Sequence, residues 1–167
     1  MTQKVTRRQF LNYALMGSGA FMAAGITLPM ARFAIDPLFA AGADGDYIQT
    51  SIRMDEITDE PVKVDFSYEQ KDGWYESEVA DFAWVYKDGN NIIAFSPVCK
   101  HLGCTVTWAG DTSNPDMFFC PCHNGYYTKD GKNVPGTPPR GPLDQFEVSE
   151  SDGYLALGAL GDNKLVG

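Results

Sequence analysis

Positive charge is scarce in this chain of 167 residues, where 13 lysines and arginines stand against 22 aspartates and glutamates. The charge is also unevenly distributed, since residues 1–42 carry +3 and residues 43–167 carry −12. So acidic a C-terminal part would repel nucleic-acid phosphates, and we therefore expect no nucleic-acid partner. It better suits a basic protein partner or an alkaline exterior.

A sustained helical period is missing after residue 47, and the chain has no internal repeat or low-complexity tract. Short alternating or apolar runs recur instead between turn residues, and Asp-Gly pairs at 88–89, 130–131 and 152–153 suit tight hairpins. We therefore predict an antiparallel all-β head over residues 47–167. The predicted strands cover residues 47–53, 62–68, 82–86, 92–96, 105–108, 117–119, 126–128, 143–149 and 154–157, with a helical turn over 54–59.

The N-terminus combines a basic segment with a modestly apolar run. Arg7 and Arg8, followed by Phe-Leu at 10–11, resemble the twin-arginine export signal. The next apolar residues extend over 10–35, and 26 residues in a helix would span the roughly 30 Å hydrocarbon core at about 1.5 Å per residue. We therefore predict a single N-terminal transmembrane helix, with signal and anchor over residues 1–36.

The basic flank places the N-terminus in the cytoplasm and the head on the outer face of the cell membrane. Ala-Gly-Ala at 41–43 has the form of a cleavage site, but it lies well beyond the apolar run, so we expect a retained anchor. Small residues over 37–46 are typical of a flexible linker or hinge.

Histidine and cysteine are rare, with two and four residues, and all six lie within residues 99–123. Such clustering indicates a metal site. Cys99 and His101 are two residues apart on one tight loop, and Cys120 and His123 can converge from a second. Two thiolates and two imidazoles can hold a diiron cluster, with sulfur ligands on one iron and nitrogen ligands on the other.

Two cysteines remain, Cys104 and Cys122, one in each loop. Outside the cytoplasm we expect such a pair to form a disulfide. Other interpretations of the six residues are a structural zinc site, a disulfide-bonded module, or a metal-stabilised binding module without redox activity. Zinc sites favour C-x2-C pairs and do not require the extra cysteine of each loop.

The motifs C-x-H-x-G-C at 99–104 and C-P-C-H at 120–123 resemble those of Rieske iron-sulfur proteins. The likeness extends over the whole chain and is greatest to the Rieske subunits of bacterial menaquinol-oxidising quinol:cytochrome c reductases. It implies an antiparallel Rieske-type head over 47–167 with a cluster-binding subdomain over about 97–142. It also implies one 2Fe-2S cluster. The implied ligands are Cys99 and Cys120 on one iron and His101 and His123 on the other, with a Cys104–Cys122 disulfide.

The resemblance further implies a proline-rich loop, residues 135–142, that covers the cluster, and a tyrosine, Tyr127, that donates a hydrogen bond to a ligand sulfur. Gly125 stands where ubiquinol-linked members carry a serine that bonds a bridging sulfide. Losing that donor should lower the reduction potential, which suits menaquinol, unless Tyr126 or a backbone amide replaces it. The residues expected around the cluster are Leu102, Gly125, Tyr127, Pro138, Pro139, Gly141 and Pro142.

By this resemblance, a quinol in a cytochrome b subunit contacts His101 or His123 and gives up one electron, with its protons released outside, and a c-type cytochrome accepts the electron. Membrane lipid, a dimeric complex and a supercomplex with a terminal oxidase are the further expected partners. The alternative within the same chemistry is a small Rieske subunit of a periplasmic oxidase, such as arsenite oxidase. Soluble oxygenase-type ferredoxins are disfavoured because they lack the two extra cysteines.

Overall fold

The computed structural model describes residues 5–40, 47–72 and 75–166. Within those ranges the chain forms one long helix, one short 3-10 turn at Met54–Glu56, and nine strands. It divides into two compact units, Met1–Asp44 and Gly45–Gly167. The bounds are α1 Arg7–Ala40, β1 Ile48–Arg53, β2 Val62–Asp72, β3 Tyr75–Asp88, β4 Asn91–Phe95, β5 Thr107–Trp108, β6 Phe118–Cys120, β7 Gly125–Tyr127, β8 Gln145–Ser151 and β9 Tyr154–Gly161.

Helix α1 begins at a capping box formed by Thr6 and Gln9. The Thr6 hydroxyl accepts from the Gln9 N–H at 3.3 Å, and the Gln9 side chain accepts from the Thr6 N–H at 3.0 Å. The stretch Arg7–Ile35 is long and apolar enough to cross a membrane. Every side chain of residues 5–35 is exposed.

The helix ends later than the sequence predicts. Residues 37–40 were expected to begin the linker, but they complete α1, which ends at Ala40. Proline is tolerated in apolar membrane helices, and the next three residues, Leu-Phe-Ala, contain no helix breaker. The rest of the predicted linker, residues 41–46, lies outside the described part of the chain.

The head confirms the predicted antiparallel all-β fold. Its larger sheet has the order β1-β9-β8-β4-β3-β2, and the edge strands β1 and β2 approach each other, so the sheet curls around its core. The β2–β3 hairpin extends from the pair Val62↔Val85 to Asp72↔Tyr75, well beyond the predicted 62–68 and 82–86. Its outer half carries polar residues on both faces, so the side-chain pattern does not reveal the strands there.

The smaller sheet has the order β5-β6-β7. Two predicted strand edges are wrong near it: β5 covers only Thr107–Trp108, with an isolated bridge from Val98 to Thr105, and β8 begins at Gln145 rather than at 143. Leu143, two residues before β8, donates its N–H to the Gly131 carbonyl at 2.9 Å instead of joining the large sheet. The small sheet lies within the range predicted for a cluster-binding subdomain.

Strands β3 and β4 separate two apolar cores, because alternate side chains of a strand point to opposite faces. Ala83, Val85 and Ala94 face the inside of the large sheet, together with Leu155 and Leu157. The side chains between them on β3 and β4 point to the opposite face, toward the small sheet. They form part of the second core, which lies under the two cysteine-containing loops. This second core contains Tyr86, Ile93, Phe95, Val106, Phe118, Tyr127 and Leu143.

The first core supplies a test of the fold. Leu157 on β9 is fully buried, whereas Leu160 on the same strand is 49% exposed. We expect Leu157→Ala to lower the free energy of unfolding by about 2–5 kcal/mol, because it removes buried apolar surface and leaves a cavity. Leu160→Ala is the control, and we expect it to cost less than about 0.5 kcal/mol. Chemical denaturation of the full chain measures both, and equal losses would contradict the assigned register of β9.

Candidate metal centre

Two short loops at one end of the small sheet carry the predicted ligands. Loop 1, residues 96–106, is closed by hydrogen bonds from the Cys99 N–H to the Cys104 carbonyl at 2.8 Å and from the Gly103 N–H to the Cys99 carbonyl at 3.0 Å. Loop 2, residues 120–125, contains the turn of the β6–β7 hairpin, and the pair Cys120↔Gly125 closes it. Within it, Asn124 has φ 56°, which asparagine tolerates better than most residues.

A disulfide between Cys104 and Cys122 joins the two loops, with 6.6 Å between the Cα atoms. These are the two cysteines that the sequence analysis left without a metal. Their sulfur atoms and that of Cys120 lie within 4.8 Å of one another. Because bonded sulfurs are not thiolates, we interpret this cluster as the Cys120 thiol lying beside the disulfide and not as a three-cysteine metal site.

The two remaining cysteines are buried without a disulfide partner, Cys99 at 3% exposure and Cys120 at 2%. Burial raises the pKa of the Cys120 thiol, and the neighbouring Cys99 thiol raises it further. The N–H groups of Cys122 and His123 act in the opposite direction. The buried Cys120 thiol would therefore resist ionisation unless a cation neutralised its charge, which is what bound iron does.

The two histidines meet at the ends of the same loops. The ring centroids of His101 and His123 are 4.8 Å apart, with the ring planes nearly perpendicular at 89°. His101 is half-buried and His123 is exposed, so the pair faces outward while the thiols face the core. Leu102, between the disulfide and His101, is 72% exposed and adds an apolar side chain to this tip.

Tyr127 connects the buried core to loop 1. Its hydroxyl lies 3.2 Å from the Cys99 sulfur and accepts a hydrogen bond from the Lys100 N–H at 2.8 Å. Because the oxygen accepts from Lys100, its single proton is available to the sulfur. Burial raises the pKa of Tyr127, so the hydroxyl remains protonated and remains a donor.

The proline-rich loop packs against loop 2 at Gly125. A Cβ atom added there would lie 2.8 Å from the Pro139 Cγ and 3.4 Å from the Cys120 Cβ. Pro139 is buried and its carbonyl accepts a hydrogen bond from the Asn133 side chain at 3.0 Å. Gly125 therefore permits the loop to close over Cys120. Of the other predicted cover residues, Pro138, Gly141 and Pro142 are half-buried.

Tyr126, adjacent to Tyr127 in β7, points away from Cys99 and Cys120. Its hydroxyl donates to the Asp111 carboxylate at 2.7 Å, and Asp111 also accepts from the Ser113 N–H and from Asn114. The Tyr126 hydrogen bond is the main cause that lowers the pKa of Asp111 to about 2. Tyr126 therefore does not supply the donor that Gly125 lacks. Neither Asp111 nor Lys100 was predicted from the sequence, because no spacing rule connects them to their partners.

The donor set fits an iron-sulfur cluster of mixed ligation. Two loops present two buried thiols and two adjoining imidazoles, with a hydroxyl donor at one thiol and a disulfide between the loops. A zinc site would not require the two thiols to be buried while the two imidazoles face outward. The arrangement defines a class: β proteins that hold a two-iron cluster between cysteine and histidine ligands.

Comparison with known proteins agrees with this class. The family profile described as "Rieske [2Fe-2S] domain" matches residues 53–147. The chain is 55% identical to the menaquinol:cytochrome c reductase iron-sulfur subunit of Bacillus subtilis, over 92% of each chain. It is 59% identical to the protein of the same name from Geobacillus thermodenitrificans, over 93% of this chain and 92% of that one.

A more distant relative is the cytochrome b6-f complex iron-sulfur subunit of Chlorobaculum tepidum, which is 32% identical over 90% of this chain and 74% of its own. The chain belongs to the Rieske [2Fe-2S] family. Its cofactor is therefore one Rieske-type 2Fe-2S cluster.

The two neighbouring tyrosines provide a matched test of the site. Tyr127→Phe removes the hydroxyl donor to Cys99, and we expect the reduction potential to fall by roughly 20 to 60 mV, because a donor to sulfur stabilises the more negative reduced state. Tyr126→Phe removes only the hydrogen bond to Asp111. We therefore expect this variant to have a lower thermal stability and an unchanged reduction potential. Redox titration followed by electron paramagnetic resonance measures both. Equal shifts in the two variants would contradict the assignment.

Proposed function

We propose that this chain is the Rieske iron-sulfur subunit of a menaquinol:cytochrome c reductase, the electron-transfer component of a membrane oxidoreductase complex. The observation that carries the proposal is its identity of 55–59% to two such subunits over nearly the whole chain, helix α1 included. The site supports it, since the two motifs lie on adjoining loops with their histidines at the exposed tip.

In this proposal Cys99 and Cys120 hold one iron, and His101 and His123 hold the other. The burial of both thiols and the contact between the two imidazole rings support this division. The cluster supplies one-electron chemistry at the tip. The second core and the proline-rich loop would keep water away from the two cysteine sulfurs. The Tyr127 hydroxyl would donate a hydrogen bond to the Cys99 sulfur.

The exposed histidines are proposed to make the quinol contact. An imidazole bound through one ring nitrogen keeps the other free to accept a hydrogen bond from a quinol hydroxyl and to hold its proton. His123 is exposed and His101 half-buried, so either can reach a quinol outside the head. Leu102 offers the quinone an apolar contact at the same tip. A c-type cytochrome is the proposed electron acceptor.

Gly125 supports menaquinol as the donor. The position lacks a hydroxyl, and Tyr126, the side chain that could have replaced it, is engaged with Asp111. The glycine also lets Pro139 approach Cys120, which excludes water from the sulfur side. A missing donor and a drier environment both disfavour the more negative reduced state, so both lower the potential toward that suited to a more reducing quinol.

The helix is proposed to anchor the protein in the cell membrane with its N-terminus in the cytoplasm. Arg7 and Arg8 support this orientation and an export signal of the twin-arginine type, which carries proteins already folded around their cofactor. The proposed partners are a cytochrome b subunit, a c-type cytochrome and membrane lipid, within a dimeric complex that joins a terminal oxidase.

Purification of the full chain with its associated subunits tests the proposed function. We expect two irons per chain, a Rieske electron paramagnetic resonance signal after reduction, and reduction by menaquinol that is faster than reduction by ubiquinol. His123→Ala should lose the signal, whereas Asn124→Gly, at its exposed neighbour, should keep it, because glycine adopts the positive φ of this position without strain. Co-purification with the large subunit of a periplasmic oxidase, without cytochrome b, would contradict the proposal in favour of the alternative function.

Gly125 provides a second test, of the link between this position and the potential. A serine adds both a donor and a steric clash with Pro139, whereas an alanine adds the clash alone. We therefore expect both variants to be less stable and Gly125→Ser to have the higher potential, by roughly 20 to 60 mV over Gly125→Ala. Identical potentials in the two variants would show that no donor is missing at this position.

A further inference from the structure

An ion pair between Lys100 and Asp144 joins loop 1 to the segment that follows the proline-rich loop, two residues beyond its last proline. The Lys100 ammonium lies 2.6 Å from each carboxylate oxygen of Asp144. The side chains are 36% and 24% exposed, and surface pairs of this kind add little to global stability. Any importance of the pair must therefore come from its location.

The location of Lys100 is between two ligands, because it separates Cys99 from His101. Asp144 is 44 residues away and is held rigidly: its carbonyl accepts the Ser96 N–H at 2.9 Å, and the preceding residue, Leu143, is fully buried. The ion pair thus ties the middle of loop 1 to a fixed point beside the core.

The backbone of Lys100 orients the hydroxyl of Tyr127. The Lys100 N–H occupies a lone pair of the Tyr127 oxygen at 2.8 Å, which directs the hydroxyl proton toward the Cys99 sulfur at 3.2 Å. If Lys100 shifts, this donor geometry shifts with it. A hydrogen bond to sulfur weakens steeply when its alignment is lost.

The pair also completes a closed set of links among the three segments that cover the ligands. The Cys104–Cys122 disulfide joins loop 1 to loop 2, and the contact of Gly125 with Pro139 joins loop 2 to the proline-rich loop. The ion pair joins Asp144, two residues after the proline-rich loop, back to loop 1. Each segment is then restrained from two sides.

We propose that Lys100 and Asp144 are positioning residues that hold the Tyr127 hydroxyl on the Cys99 sulfur and thereby raise the reduction potential of the cluster. The proposal rests on Cys99 being a cluster ligand, as assigned under the proposed function. A purely electrostatic role makes a different prediction, because the lysine charge raises the potential and the aspartate charge lowers it, so that removing both together would leave the potential unchanged.

The decisive variant is therefore Lys100→Met/Asp144→Asn, which removes both charges and the link between them. In the full chain purified with its cofactor, we expect the equilibrium constant for one-electron reduction to fall by between about twofold and tenfold. In a Tyr127→Phe background the same double substitution should change nothing further, because the hydroxyl through which it acts is absent. Lys100→Arg, which retains the pair, should keep the original potential.

The control is a second lysine–aspartate pair, Lys63 and Asp65 on β2, whose Nζ and Oδ1 atoms are 2.7 Å apart. Lys63→Met/Asp65→Asn removes the same charges far along the sequence from both loops, and we expect an unchanged potential. An unchanged potential in Lys100→Met/Asp144→Asn, or an equal fall in the Tyr127→Phe background, would overturn the proposal. If the double variant does not retain the cluster, the reduction potential of Asp144→Asn is measured instead, alone and in the Tyr127→Phe background. An unchanged potential in Asp144→Asn, or an equal fall in both backgrounds, would again overturn the proposal.

The experiment separates this proposal from the assignment on which it rests. If Cys99 is not a ligand, Cys99→Ala retains the Rieske signal and the proposed function fails at that step. If the signal is lost in Cys99→Ala but the ion-pair variants leave the potential unchanged, the ligand assignment stands and only the positioning role is wrong.

Discussion

Two thiols buried side by side impose the constraint on which the tip of the head depends. Cys99 and Cys120 lie almost entirely out of water, and burial raises the pKa of Cys120. Ligand thiolates in such a place need a neighbouring cation and hydrogen-bond donors to offset the loss of hydration. The backbone N–H groups of loop 2 and the hydroxyl of Tyr127 provide the donors, and the family's cluster provides the cation.

The three covering segments are joined by links of different physical kinds. The disulfide is covalent, the contact at Gly125 depends on the absence of a side chain, and the Lys100–Asp144 pair is ionic. Short loops cannot bury enough apolar surface to order themselves, so such links replace a core of their own. The apolar support lies beneath them, where Phe95, Phe118 and Tyr127 are fully buried.

The two units of the chain differ in where they place their apolar side chains. Helix α1 exposes apolar side chains along its described length and is suited to a lipid environment. The head places its apolar residues in two internal cores on either side of β3 and β4 and carries the acidic surface. Within the head, the two cysteine-containing loops are joined by the disulfide at one end of the small sheet.

The sequence by itself determined the residues with reactive side chains, the β class of the head and the apolar helix, because each depends on residue type and local spacing. Six rare residues within 25 positions indicated the metal site, and alternating runs indicated most strands. The sequence did not reveal the outer half of the β2–β3 hairpin, because backbone pairing continues there through polar residues. It also did not reveal that residues 37–40 belong to helix α1.

Only the tertiary structure decided which side chains surround Cys99 and Cys120. Tyr126 and Tyr127 are adjacent in sequence, but alternation along β7 sends one to Asp111 and the other to Cys99. Gly125 is interpreted from sequence as a missing donor, and the fold adds that Pro139 occupies the space a side chain would need. Lys100 and Asp144 meet across 44 residues. Such contacts depend on how distant segments pack, which local sequence patterns do not encode.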